Sequence, residues 1–499
     1  LNLDQAMLAE GFGMADETTG GRMPLPASTG DEFLKVELRG LEPVPDEERH
    51  GHPRELFFIW AAALADFFSF YAGALLVSLG LGIWDAILVL ALGTLAGGGL
   101  LGALSVTGVR TGVPQIVFSR LTFGRRGAVI GGFLTMVIAV GWFSYDCAIA
   151  VNTAKALPVF GDGPPAWAVL LMTVLMAAGC ILVAVYGHRT LTVVQTIQAP
   201  AFIALCAVVA VVLAPRFNLG VESRLDLGSH IALALFGFTA TFALIVSWAT
   251  YAADYSRYLP RRTGAWAVTL WSGGGAVLTL FICGVLGALV QTIDPANPAI
   301  ALLIVPNLPT WLAWVFVAFI VVAEMSSNYL NIYTSALSGL AIGIRLSRWQ
   351  AAVAVGAVGG VLALVIVLQD TFLPQYLLFL GATYVWFPAW CVVVLVDFWR
   401  RRSVGTEDVE RANRARRYTL HWPALIAFGI GTLATVAFYN NQPTFEGVGA
   451  RAIFGVQPAD ISSFVGIAVS AALFLVLLRL MPPRGGAEKE APAGAEEKS

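Results

Sequence analysis

Three carboxylates stand in stretches that are otherwise almost free of charge: Asp66 in ALADFFSF, Asp146 in GWFSYDC and Glu324 in VVAEMSSNYLNIYTS. An acid in such a run is costly unless it faces a cavity or a partner, so each is a candidate for holding a ligand or carrying a proton. The neighbours of Asp66 are apolar and offer it no local partner. For Glu324, the nearby Ser326, Ser327, Asn328 and Asn331 offer several. Asp254 lies nearer the end of its stretch, where Arg257 is available one turn on.

Trp142 and Asp146 are four residues apart, which on a helix places the indole and the carboxylate on one face, about one turn from each other. A planar ligand with N–H donors can stack on the ring and bond to the acid, and a cation can use both groups. Ser247 and Trp248, in VSWATYAADYSRY, supply a second central aromatic with a hydroxyl beside it. The paired hydroxyls of Ser326 and Ser327 suit a small hard cation, together with carbonyls freed where a facing helix unwinds. The structural alternative is plain in each case: a protonated acid bonded to a neighbouring helix, or small polar residues joining helices within a bilayer.

The elements that must position these groups are membrane spans. The chain has 499 residues, 58% of them apolar and 12% charged, with a mean hydropathy of +0.76. Soluble domains carry about 25% charged residues, so the natural solvent is a lipid bilayer. Apolar runs predict twelve spans, at about 56–80, 84–106, 127–153, 165–186, 190–214, 231–256, 264–291, 309–333, 350–368, 372–396, 420–440 and 460–480. With the N-terminus in the cytoplasm, only Lys155, Arg216, Arg224 and Arg451 fall outside, as the positive-inside rule requires. Both termini are then cytoplasmic and the chain sits in the cytoplasmic membrane. The polar first fifty or so residues lack the short apolar core expected of a signal peptide.

The organisation that follows is a cytoplasmic segment (1–55), a core of ten spans (56–396), a basic cytoplasmic loop (397–419), two further spans (420–480) and a disordered tail (481–499). The first thirty or so residues are expected to be mobile. The tail is rich in Pro, Gly, Ala and Glu and cannot bury a core.

A formal charge of -2 and scattered basic residues argue against nucleic acid as a partner. The five cysteines lie in apolar runs without metal-ligand spacing and read as small buried hydrophobes. GGGLLG at 97–102 matches GxGxxG only formally; inside a span it is a helix-packing surface. No P-loop, HExxH or TVGYG sequence is present. No cofactor is called for beyond a coupling ion.

Three polar stretches, GLEPVPDEERHG before span 1, RTGVPQIVFSRLTFGRRG between spans 2 and 3, and YAADYSRYLP after span 6, resemble the nucleobase:cation symporter-1 family of purine, cytosine and hydantoin permeases. The resemblance covers about residues 40–400. It implies an all-α membrane fold of two inverted five-span repeats (about 56–214 and 231–396) with two spans appended, spans 1 and 6 being interrupted near the midplane. It implies a ligand between spans 1, 3, 6 and 8, stacked between Trp142 and Trp248, with Asn331 as the amide of span 8. It also implies a sodium site of carbonyls at Ala62 and Ala65 with Ala323, Ser326 and Ser327. The chain departs from the hydantoin branch at two positions, where Asp66 and Asp146 replace amides.

An amide donates and accepts, whereas an ionised carboxylate only accepts. The substrate is therefore expected to present more donors, or a positive charge, or else one of the two acids is kept protonated. Asp66, Ser247 and Asn331 join Trp142, Asp146 and Trp248 as candidate substrate contacts, and Asp66 and Glu324 are candidates for proton coupling. The expected activity is symport of a small planar nitrogen heterocycle with Na+ or H+. The rivals are a membrane enzyme using the same carboxylates for acid–base chemistry, and a channel or sensor.

Overall fold

The structure, a computed structural model, describes residues 32–155, 157–160, 163–296, 304–369, 372–414, 419–442 and 445–481. The expected mobile N-terminal thirty residues, nearly all of the expected disordered tail, and Arg416 and Arg417 of the basic loop lie outside these.

Among the described residues, ten helices are long and apolar enough to cross a membrane, and the bent pair Arg54–Ala63 and Phe67–Ser78 makes an eleventh. Trp422–Phe438 is a further apolar helix of 17 residues. These are consistent with twelve spans. Spans 2 to 5 are Ile83–Thr111, Ala128–Lys155, Ala166–Tyr186 and His188–Leu213. Spans 7 to 9 are Ala265–Gln291, Thr310–Ala341 and Arg348–Leu368. Span 11 is Trp422–Phe438 and span 12 is Ser462–Leu480. Span 8 runs well past its expected end at 333.

Spans 1 and 6 break, each for a local reason. In span 1 the helix stops after Ala63, bends by 63° and restarts at Phe67. Asp66 is extended there (φ −125°, ψ 171°) and its Oδ1 accepts a hydrogen bond from the Ser69 backbone N–H at 2.8 Å. It is an N-cap, so the expectation that Asp66 lacks a local partner is corrected. In span 6, helix Leu227–Val246 gives way to a 3-10 turn at Ala249–Tyr251 and then to helix Ala252–Ser256, which leaves Ser247 and Trp248 at the break. Span 10 also breaks, between Phe372–Tyr384 and Phe387–Arg400, with Pro388 in the first turn of the second piece. Pro is tolerated there because the first N–H groups of a helix have no intrahelical acceptor.

Spans 1, 2, 6 and 7 pack as one group and spans 3, 4, 8 and 9 as another. Close approach of spans 2 and 7 depends on the glycines read as a packing surface. A methyl on Gly98 would stand 2.9 Å from the Gly273 carbonyl oxygen, and one on Gly102 would stand 2.3 Å from that of Thr269. All five cysteines are buried and unbridged.

The three family-like stretches meet on the face of the molecule that carries the N-terminal segment. Val44 N–H donates to Gly112 O at 2.9 Å, His50 N–H to Tyr258 O at 2.7 Å, and the Arg49 guanidinium to Val109 O at 2.8 Å. The loop between spans 2 and 3 forms two short helices, Gln115–Phe118 and Arg120–Phe123. Asp254 accepts from Gln115 N–H at 2.8 Å and from the Thr334 hydroxyl at 2.7 Å.

The expected ion pair of Asp254 with Arg257 is not made. Arg257, wholly buried, turns instead to Glu37, 3.5 Å away, and to the Gly40 carbonyl at 2.9 Å. Glu37 also accepts from the Tyr258 hydroxyl, the Tyr333 hydroxyl (3.1 Å) and the His188 N–H (2.9 Å). Its carbonyl takes Arg348 Nε at 2.9 Å. One acid thus ties the N-terminal segment to spans 5, 6, 8 and 9.

Candidate functional site

The two helix breaks face each other across a small cavity. Leu64, Asp66, Phe68 and Ser69 line it from span 1, Trp142 and Asp146 from span 3, and Leu244, Ser247 and Trp248 from span 6. Five of the six expected substrate contacts therefore share one space, although they come from stretches as far apart as residues 66 and 248. Its free volume of about 10 Å³ is the room of a single water. A ring can enter only if Phe68 or an indole moves.

Asn331 does not line the cavity. It stands behind Asp146, donating to Asp146 Oδ2 at 3.3 Å and accepting from the Tyr251 hydroxyl at 3.2 Å. Ser327 donates to the same Oδ2 at 3.0 Å. Asp146 is thus held from span 8 on one oxygen. Of the expected sodium ligands, Ser327 is engaged with Asp146, and the Ser326 hydroxyl accepts a long bond (3.5 Å) from Gln195. Ala62, Ala65 and Ala323 are buried, and the Ala62 carbonyl accepts the Ala65 N–H at 3.4 Å.

Glu324 ignores the side chains offered by its own helix. Its Oε1 accepts the Phe67 backbone N–H at 2.8 Å, crossing from span 8 to the restart of span 1. Oε2 is buried without a hydrogen-bond partner. A carboxylate suits this place because the first N–H groups of a helix carry partial positive charge and lack intrahelical acceptors.

Asp66, Asp146 and Glu324 are 7%, 3% and 0% exposed; the first two border one cavity, and Glu324 bonds the residue next to Asp66. Among the described residues, no Lys, Arg or His forms an ion pair with any of them. Buried like charges without a counter-charge are strongly unfavourable. What relieves them is a proton, a cation or a donor-rich ligand.

The rings meet edge to face. Trp142 lies 5.6 Å from Phe68 and 5.2 Å from Phe379, and Trp248 lies 6.3 Å from Trp60 and 5.4 Å from Tyr251. Sequence reasoning missed Phe68, Leu244 and Phe379. Phe68 had a signal, since it lies two residues beyond the capping Asp66; Phe379 had none, because its approach depends on how span 10 packs.

Beyond Phe68 and Leu244, on the face opposite the N-terminal segment, a second cavity of about 200 Å³ opens. Both residues line both spaces, so they form the partition between them. On the N-terminal face, the buried charges of the Glu37 network are paired.

Residues 43–466 match the family model described as "Permease for cytosine/purines, uracil, thiamine, allantoin". The chain is 27% identical over 457 residues to "Putative purine-cytosine permease YxlA" of Bacillus subtilis, covering 89% of this chain and 96% of that one. It is 25% identical over 343 residues to the purine-cytosine permease FCY2 of Saccharomyces cerevisiae, covering 63% and 62%. Its fold is similar to that of Mhp1, a nucleobase-cation-symport-1 family transporter, closed with bromovinylhydantoin bound: TM-score 0.68, 14% identity, 89% of this chain and 96% of that one. A Na+-coupled sialic acid symporter shares the fold at a TM-score of 0.52, with 12% identity over 87% and 99%. By the extent of the family match, the chain belongs to the family of membrane permeases for cytosine and purines, uracil, thiamine and allantoin.

Proposed function

We propose that this permease imports a planar, donor-rich or cationic nitrogen heterocycle, chemically unchanged, by alternating access in symport with a cation. One observation carries the proposal: two indoles and two carboxylates border one cavity, with no basic residue among its lining. The indoles offer flat apolar faces, and the carboxylates accept hydrogen bonds but donate none when ionised. Cytosine and adenine carry an amino group, and thiamine a fixed positive charge. Uracil has two ring N–H donors but no amino group, so it offers ionised carboxylates fewer donors than cytosine and sets a carbonyl oxygen on each side of its N3–H.

The coupling cation is proposed to be a proton held among Asp66, Asp146 and Glu324. The support is the unpartnered Oε2 of Glu324 and the commitment of Ser327 to Asp146. A proton needs a single oxygen, whereas sodium needs a shell of them. The N-terminal face is proposed to be cytoplasmic, in a cytoplasmic membrane, because the basic residues concentrate on that side.

Tracer uptake into proteoliposomes tests the proposal. Labelled cytosine should accumulate under an inward pH gradient, be competed by adenine and thiamine, and be recovered unchanged. Competition by uracil alone would refute the substrate class. Accumulation that follows an imposed sodium gradient and ignores pH would refute the proton.

A further inference from the structure

The 200 Å³ cavity repeats the chemistry of the central site. Tyr71 of span 1, Tyr384 of span 10 and Tyr439 at the end of span 11 supply rings, and Asp460, just before span 12, supplies an acid. Among the described residues, no Lys, Arg or His lines it. Asp460 is 3% exposed, and burial pushes its carboxyl up to about 6.

The wall that carries Asp460 is built rather than loose. Asp460 Oδ1 accepts the Ser462 N–H at 2.8 Å, and its carbonyl accepts the Thr239 hydroxyl of span 6 at 2.7 Å. Asn440 Nδ2 donates to the carbonyls of Gln457 (2.9 Å) and Ala459 (3.1 Å), folding the connection between spans 11 and 12 onto itself. The volume accommodates many waters, at about 10–15 Å³ each on the scale used for the central cavity, or one single- or double-ring heterocycle. The central cavity, at about 10 Å³, has room for a single water and for no ring in this conformation.

We infer that this chamber is a second binding station for the same class of heterocycle, in which Asp460 is the acceptor and the appended spans 11 and 12 form the wall. The inference rests on the proposed transport of donor-rich heterocycles. A ring stacked among the tyrosines and bonded to Asp460 waits behind Phe68 and Leu244 until the inner cavity opens. The two appended spans then have a task in selecting the cargo as well as in flanking the core.

Equilibrium binding of labelled cytosine to the full chain in nanodiscs tests it. Wild type should bind two equivalents, Asp460→Asn one, and Trp142→Ala one. Asn at 460 can still accept from Ser462 N–H, so the wall should stay folded; Tyr71→Leu, on a different element, should also leave one equivalent. A single equivalent in wild type that Trp142→Ala abolishes would overturn the second station and leave the central site standing. Loss of both equivalents in Asp460→Asn and Tyr71→Leu alike would overturn it too, as the mark of a structural role. No binding of cytosine, adenine or thiamine by wild type would overturn both proposals.

Discussion

Two sets of buried acids lie within this molecule, and they are treated in opposite ways. Glu37 is 2% exposed and meets two buried arginines, two tyrosine hydroxyls and a backbone N–H. Asp66, Asp146 and Glu324 are as deeply buried and meet only hydroxyl, amide and backbone donors. A compensated acid joins elements and closes a face. An uncompensated one, in a space bordered by aromatic rings, is on our proposal the group that meets what arrives from solution. The contrast separates structure from cargo more sharply than burial alone, since all four residues would be flagged by burial.

Glu37→Gln breaks the compensated set and should have the largest effect. It leaves Arg257 and Arg348 buried without a counter-charge, a loss of about 2–5 kcal/mol for such a group. The melting temperature and cytosine uptake should both fall steeply. Asp146→Asn treats the other set and should do the reverse to stability: without ligand, the variant should melt at or above the wild-type temperature, because a buried unpaired charge is removed while Asn still accepts from Ser327. A collapse of stability in that variant would erase the distinction.

A smaller effect concerns pH. The Asp460 carboxyl, at about 6, is about one-tenth ionised at pH 5 and nine-tenths at pH 7. Thiamine binding at the outer chamber should therefore strengthen roughly tenfold as pH rises across that window, and the rise should be absent in Asp460→Asn. The other titratable groups lining the chamber are the phenols of Tyr71, Tyr384 and Tyr439, which are neutral throughout that range. Least of all, Thr334→Val should cost about 1 kcal/mol of stability, with cytosine affinity unchanged, since Asp254 keeps its bond from Gln115.

Much of the site was legible because a bilayer makes charge conspicuous. Asp66, Asp146 and Glu324 stand out in apolar runs, and the spacing of Trp142 and Asp146 already placed ring and acid together. What stayed hidden depends on tertiary packing. Glu37 lies in a polar N-terminal stretch where an acid is ordinary, and only folding carries it beneath spans 6, 8 and 9. Arg257 looked like a partner for Asp254 because the two are one turn apart, yet the Gln115 N–H and the Thr334 hydroxyl reach that acid first. Glu324 reaches across to the break in span 1, a contact that no spacing within its own helix reveals. Asn331 fell one layer behind the cavity because the Asp146 carboxylate occupies the space between.

The central claim is that uncompensated carboxylates read the cargo, and a thermal-shift comparison tests it most directly. Purified wild type and Asp146→Asn are each melted with cytosine, thiamine and uracil. The account predicts that cytosine or thiamine stabilises wild type while uracil does not, and that the stabilisation disappears in Asp146→Asn. Equal stabilisation of both proteins, or stabilisation of wild type by uracil alone, would contradict it.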